Sequence, residues 1–119
     1  MGHQELIDSI LDVDENIRFA TVCNMQGNIE VKKQREGVEN FLTPEETQES
    51  LKNAANAWIF ARTPHFKKIG KGLYTLSAYE KLKRVTVPLE DGFLLLATID
   101  NKGDQNQIID GIIHQVHGK

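Results

Sequence analysis

The sequence predicts an α+β domain in which helices cover both faces of a five-stranded antiparallel sheet, a three-layer α/β/α arrangement. Helical apolar patterns occur near both ends and in the middle of the chain, and five strand-like segments lie between them. Residues 93–99 are apolar at every position except Thr98, which is typical of a strand covered on both faces. Short turns imply hairpins, so we expect the order α-β-β-α-β-β-β-α in a single domain spanning residues 1–119.

A helix and a hairpin are expected first. Residues 5–13 carry one apolar stripe at helical spacing, formed by Leu6, Ile7, Ile10 and Leu11. Residues 17–23 alternate as a strand, which predicts a shared face for Ile17, Phe19, Thr21 and Cys23. Gly27 supplies a turn residue before a second strand, and polar residues 35–42 are predicted to form a connecting loop.

The central helix has the clearest start in the sequence. Thr43 is expected at the N-cap, Pro44 at the first helical position and Glu46 at the spacing of a capping box. The stripe that follows is small and alanine-rich apart from its end, and it consists of Leu51, Ala54, Ala55, Trp58 and Ile59. Pro64 disfavours helical geometry at the residue before it, so we expect a kink or an end there.

Three strands and a helix complete the predicted order. The third strand spans residues 73–79, and the fourth contains Pro88, which cannot donate a ladder bond and so belongs beside an open edge. Asp91-Gly92 predicts a tight hairpin before the fifth strand. Asp104 with Gln107 has capping-box spacing at the start of the last helix, where Gly111 predicts close packing.

Positive charge is concentrated in one segment of a chain whose net charge is −3. Residues 62–84 have a net charge of +6, whereas the remaining residues sum to −9. This asymmetry either marks a site for an anionic partner or reflects solvated, lysine-rich elements. The candidate anion-binding residues are Lys67, Lys68, Lys71, Lys81, Lys83 and Arg84.

Several function classes are not favoured by the sequence. No apolar run approaches the roughly 18 residues of a membrane span, and the N-terminus lacks a secretion-signal pattern. Cys23 is the single cysteine, so no internal disulfide is possible and a reducing cytoplasm fits. The acidic balance and the few aromatic residues, among them Tyr74 and Tyr79, do not favour nucleic acid. We therefore expect a soluble, cytoplasmic protein.

No catalytic or cofactor motif is recognisable in the chain. Cys23 has no histidine nearby in sequence to act as its base, so it is expected in the core or at a strand end. His114 and His117 would need His3 as a third metal ligand, and solvated terminal histidines are the preferred interpretation. The sequence thus predicts no catalytic residue, no metal, no cofactor and no enzymatic activity.

Two segments carry a resemblance to a known fold. Residues 17–22 precede a glycine turn, and residues 89–99 join a hairpin to the last helix. Together with the order of elements, they resemble the roadblock/dynein-light-chain domain, a relative of the profilin-like and longin-like folds. Residues 73–89, which include the basic run 79–84, also resemble a small uncharacterised archaeal family.

The resemblance implies a non-enzymatic homodimer that serves as a platform for a small GTPase or another signalling partner. In such dimers the central helices pair and the middle strands join the two sheets. Carried over here, the dimer interface would comprise Leu51, Ala55, Trp58, Arg62, Tyr74, Leu76 and Ala78. Residues 64–68 form a basic extension that departs from the roadblock pattern.

A second hypothesis is a sensory module of the PAS/profilin-like class. In this alternative a small anionic ligand lies between the sheet and the basic segment 62–84. It requires a substantial cleft, with the basic side chains converging on it.

Overall fold

The computed structural model describes residues 2–60 and 68–118. Within them the chain forms, in order, α1 (His3–Leu11), β1 (Ile17–Asn24), β2 (Ile29–Gln34), α2 (Pro44–Phe60), β3 (Thr75–Ala78), β4 (Leu82–Pro88), β5 (Phe93–Asp100) and α3 (Gln105–His117). The sheet is antiparallel throughout and has the strand order β2-β1-β5-β4-β3. The predicted fold class and order of elements are confirmed.

Helices α1 and α3 cover one face of the sheet and enclose the larger core. This core joins apolar residues of both helices to residues of β1, β4 and β5, including Ile10, Leu95 and Ile112. A Cβ atom at Gly111 of α3 would lie 2.5 Å from Val13 Cγ1. Only a residue without a side chain lets α3 approach the segment after α1 this closely, as the glycine predicted.

Helix α2 covers the opposite face with a smaller core. The capping box forms as predicted: the Glu46 backbone N–H donates to Thr43 Oγ1 at 3.1 Å, and the Thr43 backbone N–H donates to Glu46 Oε1 at 2.8 Å. Further along α2, a short apolar stripe packs on β1 and β5, and this core contains Cys23, Leu51, Ala54, Ala55, Leu94 and Leu96. No helix in the described ranges is long and apolar enough to cross a membrane.

A bulge in β1 corrects one prediction. The register of β1 against β5 shifts between Ile17 and Phe19. Ile17 therefore packs into the α1/α3 core, whereas Phe19 lies beside the α2 core. The predicted shared face of Ile17 and Phe19 is wrong, because an extra residue in a strand reverses the alternation beyond it.

Among the described strands, β2 and β3 form the two edges of the sheet. β3 is shorter than residues 73–79, since it spans Thr75–Ala78. Its last pair with β4 joins Thr75 to Thr86, so Pro88 lies beyond the end of β3. That position matches the prediction for Pro88.

Candidate functional site

The outer edge of β3 is the first candidate surface. β4 is the only described strand that pairs with β3, which leaves the outward backbone groups of β3 open. Exposed apolar side chains occur in the segment that leads into β3 and at the end of α2: Ile69 is 80% exposed, and Ile59, Leu73 and Tyr74 are each about half exposed. β3 together with these four residues is named the β3 rim below.

Trp58 connects the β3 rim to the body of the domain. Its Nε1–H donates to Thr86 Oγ1 at 2.9 Å, which fixes the indole on β4. A Cβ atom at Gly72 would lie 2.5 Å from Trp58 Cζ3, so the segment before β3 runs directly over the ring. The half-buried Trp58 thus holds the end of α2, β4 and the entrance to β3 together.

Two of the predicted interface residues need correction. Leu51 and Ala55 are fully buried in the α2 core, because their side of the helix faces the sheet. They stabilise one chain and leave no surface for a second copy. Trp58 is half-buried and retains an accessible part at the β3 rim.

The predicted interface residues near β3 lie around its open edge. Tyr74 and Ala78 are exposed, and Leu76 is half-buried and packs against the α1/α3 core. Arg62, which was assigned to the same interface, lies outside the described residues. Contact of these residues with a second copy stays a prediction.

Those predicted anion-binding residues that the structure describes do not form one patch. Lys83 pairs with Ala78 and Ile99 in the sheet and so belongs to the α1/α3 face, whereas Arg84 belongs to the α2 face. Lys71 Nζ lies 4.0 Å from Glu90 Oε1, near the β4–β5 turn. Lys68 is exposed, and Lys67 and the rest of the extension 64–67 lie outside the described residues. Alternation along β4 therefore divides the charge that the sequence groups together.

The second candidate surface is a cavity of about 330 Å³ on the α2 face of the sheet, here named the α2-face cavity. It lies between the N-terminal half of α2, the loop before that helix and the strands β1, β5 and β4. Its apolar lining is formed by Phe19, Val38, Phe41, Leu42, Leu51, Leu82 and Leu96. Three cations, Arg18, Lys81 and Arg84, also line it, against one carboxylate, Glu39.

Arg18 already has partners that balance its charge. Its Nη2 donates to the Glu39 backbone oxygen at 2.9 Å, and its Nη1 lies 3.6 Å from Asp100 Oδ2. The guanidinium also lies 4.6 Å from the centroid of the Phe41 ring. Arg18 therefore holds the loop over the cavity. The β1 bulge that places it there gives no signal in the sequence.

Arg84 is engaged much less completely. Its Nη1 donates to Ser50 Oγ, and its carbon Cζ lies 5.9 Å from the centroid of the Tyr79 ring. Its Nε is buried without a hydrogen-bond partner, and no carboxylate of the described residues forms an ion pair with it. The sequence identifies Arg84 by its charge, but only the fold places it beside an apolar cavity.

Cys23 and His3, two side chains that could carry chemistry, are each constrained by their surroundings. Burial raises the pKa of the Cys23 thiol to about 11, so the thiolate is scarce at neutral pH. His3 is clamped between Glu30 and Asp91, with Nε2 2.6 Å from Asp91 Oδ2, so its predicted solvation is wrong. In the described part of the chain, no group of three or more metal-ligating side chains comes together.

Burial alone lowers the pKa of His3, but the hydrogen bonds and negative charges of Glu30 and Asp91 outweigh it. The pKa of His3 is therefore raised above 6.5. The raised pKa favours the protonated ring, which donates to both carboxylates and holds the start of α1 on β2 and the β4–β5 turn.

No protein-family model and no curated protein matches this sequence significantly. Solved structures do match its fold. A roadblock/LC7 domain from Streptomyces avermitilis is 10% identical, with 96% of this chain and 91% of that chain covered and a TM-score of 0.73. An MglB with a tetrameric arrangement is 13% identical, with coverages of 97% and 82% and a TM-score of 0.76.

The gliding protein MglB from Thermus thermophilus is 10% identical, with coverages of 98% and 89% and a TM-score of 0.72. At these identities the likeness concerns the fold. The chain is thus a roadblock-like domain in its architecture, as the resemblance implied. Its resemblance to an archaeal family stays a prediction.

Proposed function

We propose that this protein is a non-enzymatic interaction module of the cytoplasm that acts as a homodimer and binds a signalling protein, with a small GTPase as the first candidate. The β3 rim is the observation that carries the proposal. It combines an open strand edge with four exposed apolar side chains, among them Ile69 and Leu73. Natural proteins cover or charge such an edge unless it serves as an interface.

Backbone geometry supports pairing at this edge. The Tyr79 N–H donates to Leu82 O inside the β3–β4 hairpin at 2.9 Å. Since donors alternate along a strand, the N–H groups of Leu76 and Ala78 point outward, toward a possible partner strand. Antiparallel pairing of β3 with its own copy would be self-complementary about a two-fold axis. The MglB of similar fold with a tetrameric arrangement is consistent with self-association.

The outer side of α2 is polar and fits a partner better than it fits a dimer core. Its exposed residues include Glu45, Glu49, Lys52, Asn53 and Asn56. A transient interface is about as polar as the rest of a protein surface, so a polar helix face is compatible with such a partner. We therefore propose that the dimer forms at the β3 rim and that the protein partner binds the outer side of α2.

The dimer is tested by the mass of the purified protein in sedimentation equilibrium at tens of micromolar. We expect the mass of two chains, and a monomer for the variant Leu73→Asp, because dimerisation would bury an unpaired carboxylate in the apolar surface of the β3 rim. Lys32→Asp, an exposed change on the opposite edge strand β2, is the matched control and should remain dimeric. A wild-type monomer at these concentrations removes the dimer from the proposal.

The partner is tested by affinity capture from the native cytoplasm, with wild-type protein and Leu73→Asp as baits. Enrichment of a small GTPase by the wild type, and its loss with the rim variant, is the expected result. Equal capture by both baits would show that partner binding does not depend on the dimer, and it would contradict the proposal that the two act together.

A further inference from the structure

We propose that the α2-face cavity binds a small organic anion, a carboxylate carried on an apolar body. The cavity is separate from the β3 rim and is not needed for dimerisation. Its volume of about 330 Å³ lies at the lower end of the roughly 300–1,000 Å³ of small-molecule sites. The site takes a compact ligand with one charged end.

The apolar body is assigned by the lining of the cavity. Phe19 and Leu96 from the sheet and Leu51 from α2 lie on its inner side. Phe41 and Leu42 of the loop lie on its outer side and remain about half exposed. A hydrocarbon group in this space would bury apolar surface from both directions, which is the main source of affinity in such pockets.

The environment of Arg84 indicates that the charged end of the ligand is a carboxylate. Its guanidinium faces an apolar cavity, yet a serine hydroxyl is its only hydrogen-bond acceptor among the described residues, and its Nε has none. A partly buried charge without a counter-ion is unfavourable, and a guanidinium matches a carboxylate with two parallel hydrogen bonds. A carboxylate is the group that would satisfy both its free donor and its charge.

Lys81 adds a second positive charge at the mouth of the cavity. Its Nζ lies 5.5 Å from the centroid of the Phe41 ring, on the same ring that Arg18 covers. Arg18 is balanced by Asp100 and the Glu39 backbone oxygen, so the uncompensated charge at the site comes from Arg84 and Lys81. Free inorganic phosphate would leave the apolar lining unused, which favours an anion with a hydrocarbon part.

Calorimetric titration of the full chain with three probes tests this assignment. Octanoate has both the charge and the apolar body, octanol lacks the charge, and acetate lacks the body. We expect one octanoate per chain, with octanol and acetate each binding at least tenfold more weakly. Equal affinity for octanoate and octanol would overturn the role of the charge, and no binding of octanoate at millimolar concentration would overturn the site.

Two variants at the cavity and one control variant test the location of the site. Arg84→Met keeps an unbranched apolar stem but removes the charge, and we expect it to weaken octanoate binding at least tenfold. Lys71→Met removes one charge beside Glu90, away from the cavity, and should leave binding unchanged. Lys81→Met, at an exposed position, gives a second measurement at the cavity if Arg84→Met folds poorly, with an expected several-fold loss.

Unchanged octanoate affinity in Arg84→Met or Lys81→Met would contradict the proposal. A second copy seated on the cavity would instead weaken octanoate binding as the protein concentration rises, and that result would also overturn it. Sedimentation with and without octanoate separates this outcome from the dimer test, because a small ligand should leave the mass unchanged.

Discussion

The two faces of the sheet differ in how closely they are packed. On one face, α1 and α3 close a continuous core around β1, β4 and β5. On the other face, α2 covers a smaller core, and a cavity lined by three cations remains beside it. Neighbouring residues of the same strand serve both faces, since Leu95 faces α1 and α3 and Leu96 faces α2.

The difference separates stability from binding. A close-packed face has no space for a ligand, and its helices are held by apolar contacts and by an ion pair such as Lys33–Asp8 at 3.1 Å. The α2 face keeps the unpaired Nε of Arg84, a cavity and the approach to the β3 rim. We conclude that the α1/α3 face supports the fold and that the α2 face carries the candidate sites.

The largest expected effect comes from two adjacent leucines of β5, Leu95 and Leu96, which face opposite sides of the sheet. Leu95→Ala should cost about 4 kcal/mol of unfolding free energy, near the upper part of the ~2–5 kcal/mol range for such changes, because its surroundings are closely packed. Leu96→Ala should cost at least ~1 kcal/mol less, since Leu96 already borders a cavity. Urea denaturation measures both, and equal losses would contradict the difference between the faces.

The hydrogen bond between Trp58 and Thr86 tests the organisation of the α2 face. Thr86→Val should cost about 1–3 kcal/mol, because it leaves the half-buried indole N–H without its acceptor. Trp58→Phe removes the donor, and the double variant should recover part of the loss. Urea denaturation of the four proteins gives the coupling free energy, and strictly additive losses would show that the bond contributes nothing.

Gly111 and Gly72 each allow a close contact, one on each face of the sheet, so substitution of both compares the packing of the two faces. Gly111→Ala gains about 1 kcal/mol of helix propensity, but its Cβ meets Val13 Cγ1 at 2.5 Å, and such overpacking costs about 1–3 kcal/mol. We expect a net loss of ~1 kcal/mol in thermal or urea unfolding, partly reversed by Val13→Ala. A Gly111→Ala protein that is more stable than the wild type would contradict the close packing of α3 against Val13.

The matched change on the other face is Gly72→Ala, whose Cβ would meet the Trp58 ring at 2.5 Å. Gly72 lies in an exposed segment outside the helices and strands, and this segment can shift away from the ring, so the loss of stability should be smaller than for Gly111→Ala. Trp58 is the only tryptophan in the chain, and a shift of its fluorescence emission reports the movement directly. Unchanged emission would contradict this contact.

The smallest expected effect is the pH dependence given by His3. Its pKa is raised in the folded state above the ordinary value of 6.5, so its stabilising contribution is complete below pH 6.5 and is lost as pH rises through the folded pKa. We expect about 0.2–1 kcal/mol, the range of exposed ion pairs, because Glu30 and Asp91 remain accessible.

Urea denaturation between pH 5.5 and 8 measures this contribution. His3→Gln should flatten the dependence while it leaves the rest of the curve in place. A wild-type protein that becomes more stable as pH rises through this window would reverse the sign and exclude the clamp.

Local chemistry let the sequence predict most of the fold. The capping box at Thr43, the N-cap at Asp104, the turn at Asp91-Gly92 and the strand alternation all depend on residues that lie close together in sequence. Such signals act before any tertiary contact forms. The role of Gly111 also followed from its cost within a helix.

The candidate sites depended on contacts that are distant in sequence. The extra residue in β1 turns Arg18 toward the α2 face, although nothing in residues 17–23 signals a bulge. Arg35 was assigned only to a loop, yet its guanidinium donates to the backbone oxygens of Leu11, Asp14 and Ile17 and joins three parts of the chain.

Sequence patterns alone predicted the order of the elements and which residues are apolar or charged. The tertiary structure decided which of them meet. It buried Leu51 and Ala55 within one chain, sent Lys83 and Arg84 to opposite faces and left Arg84 beside an apolar cavity. The physical reason is that the pairing and register of distant strands decide which side of a strand meets which helix, and local sequence patterns carry no information about that choice.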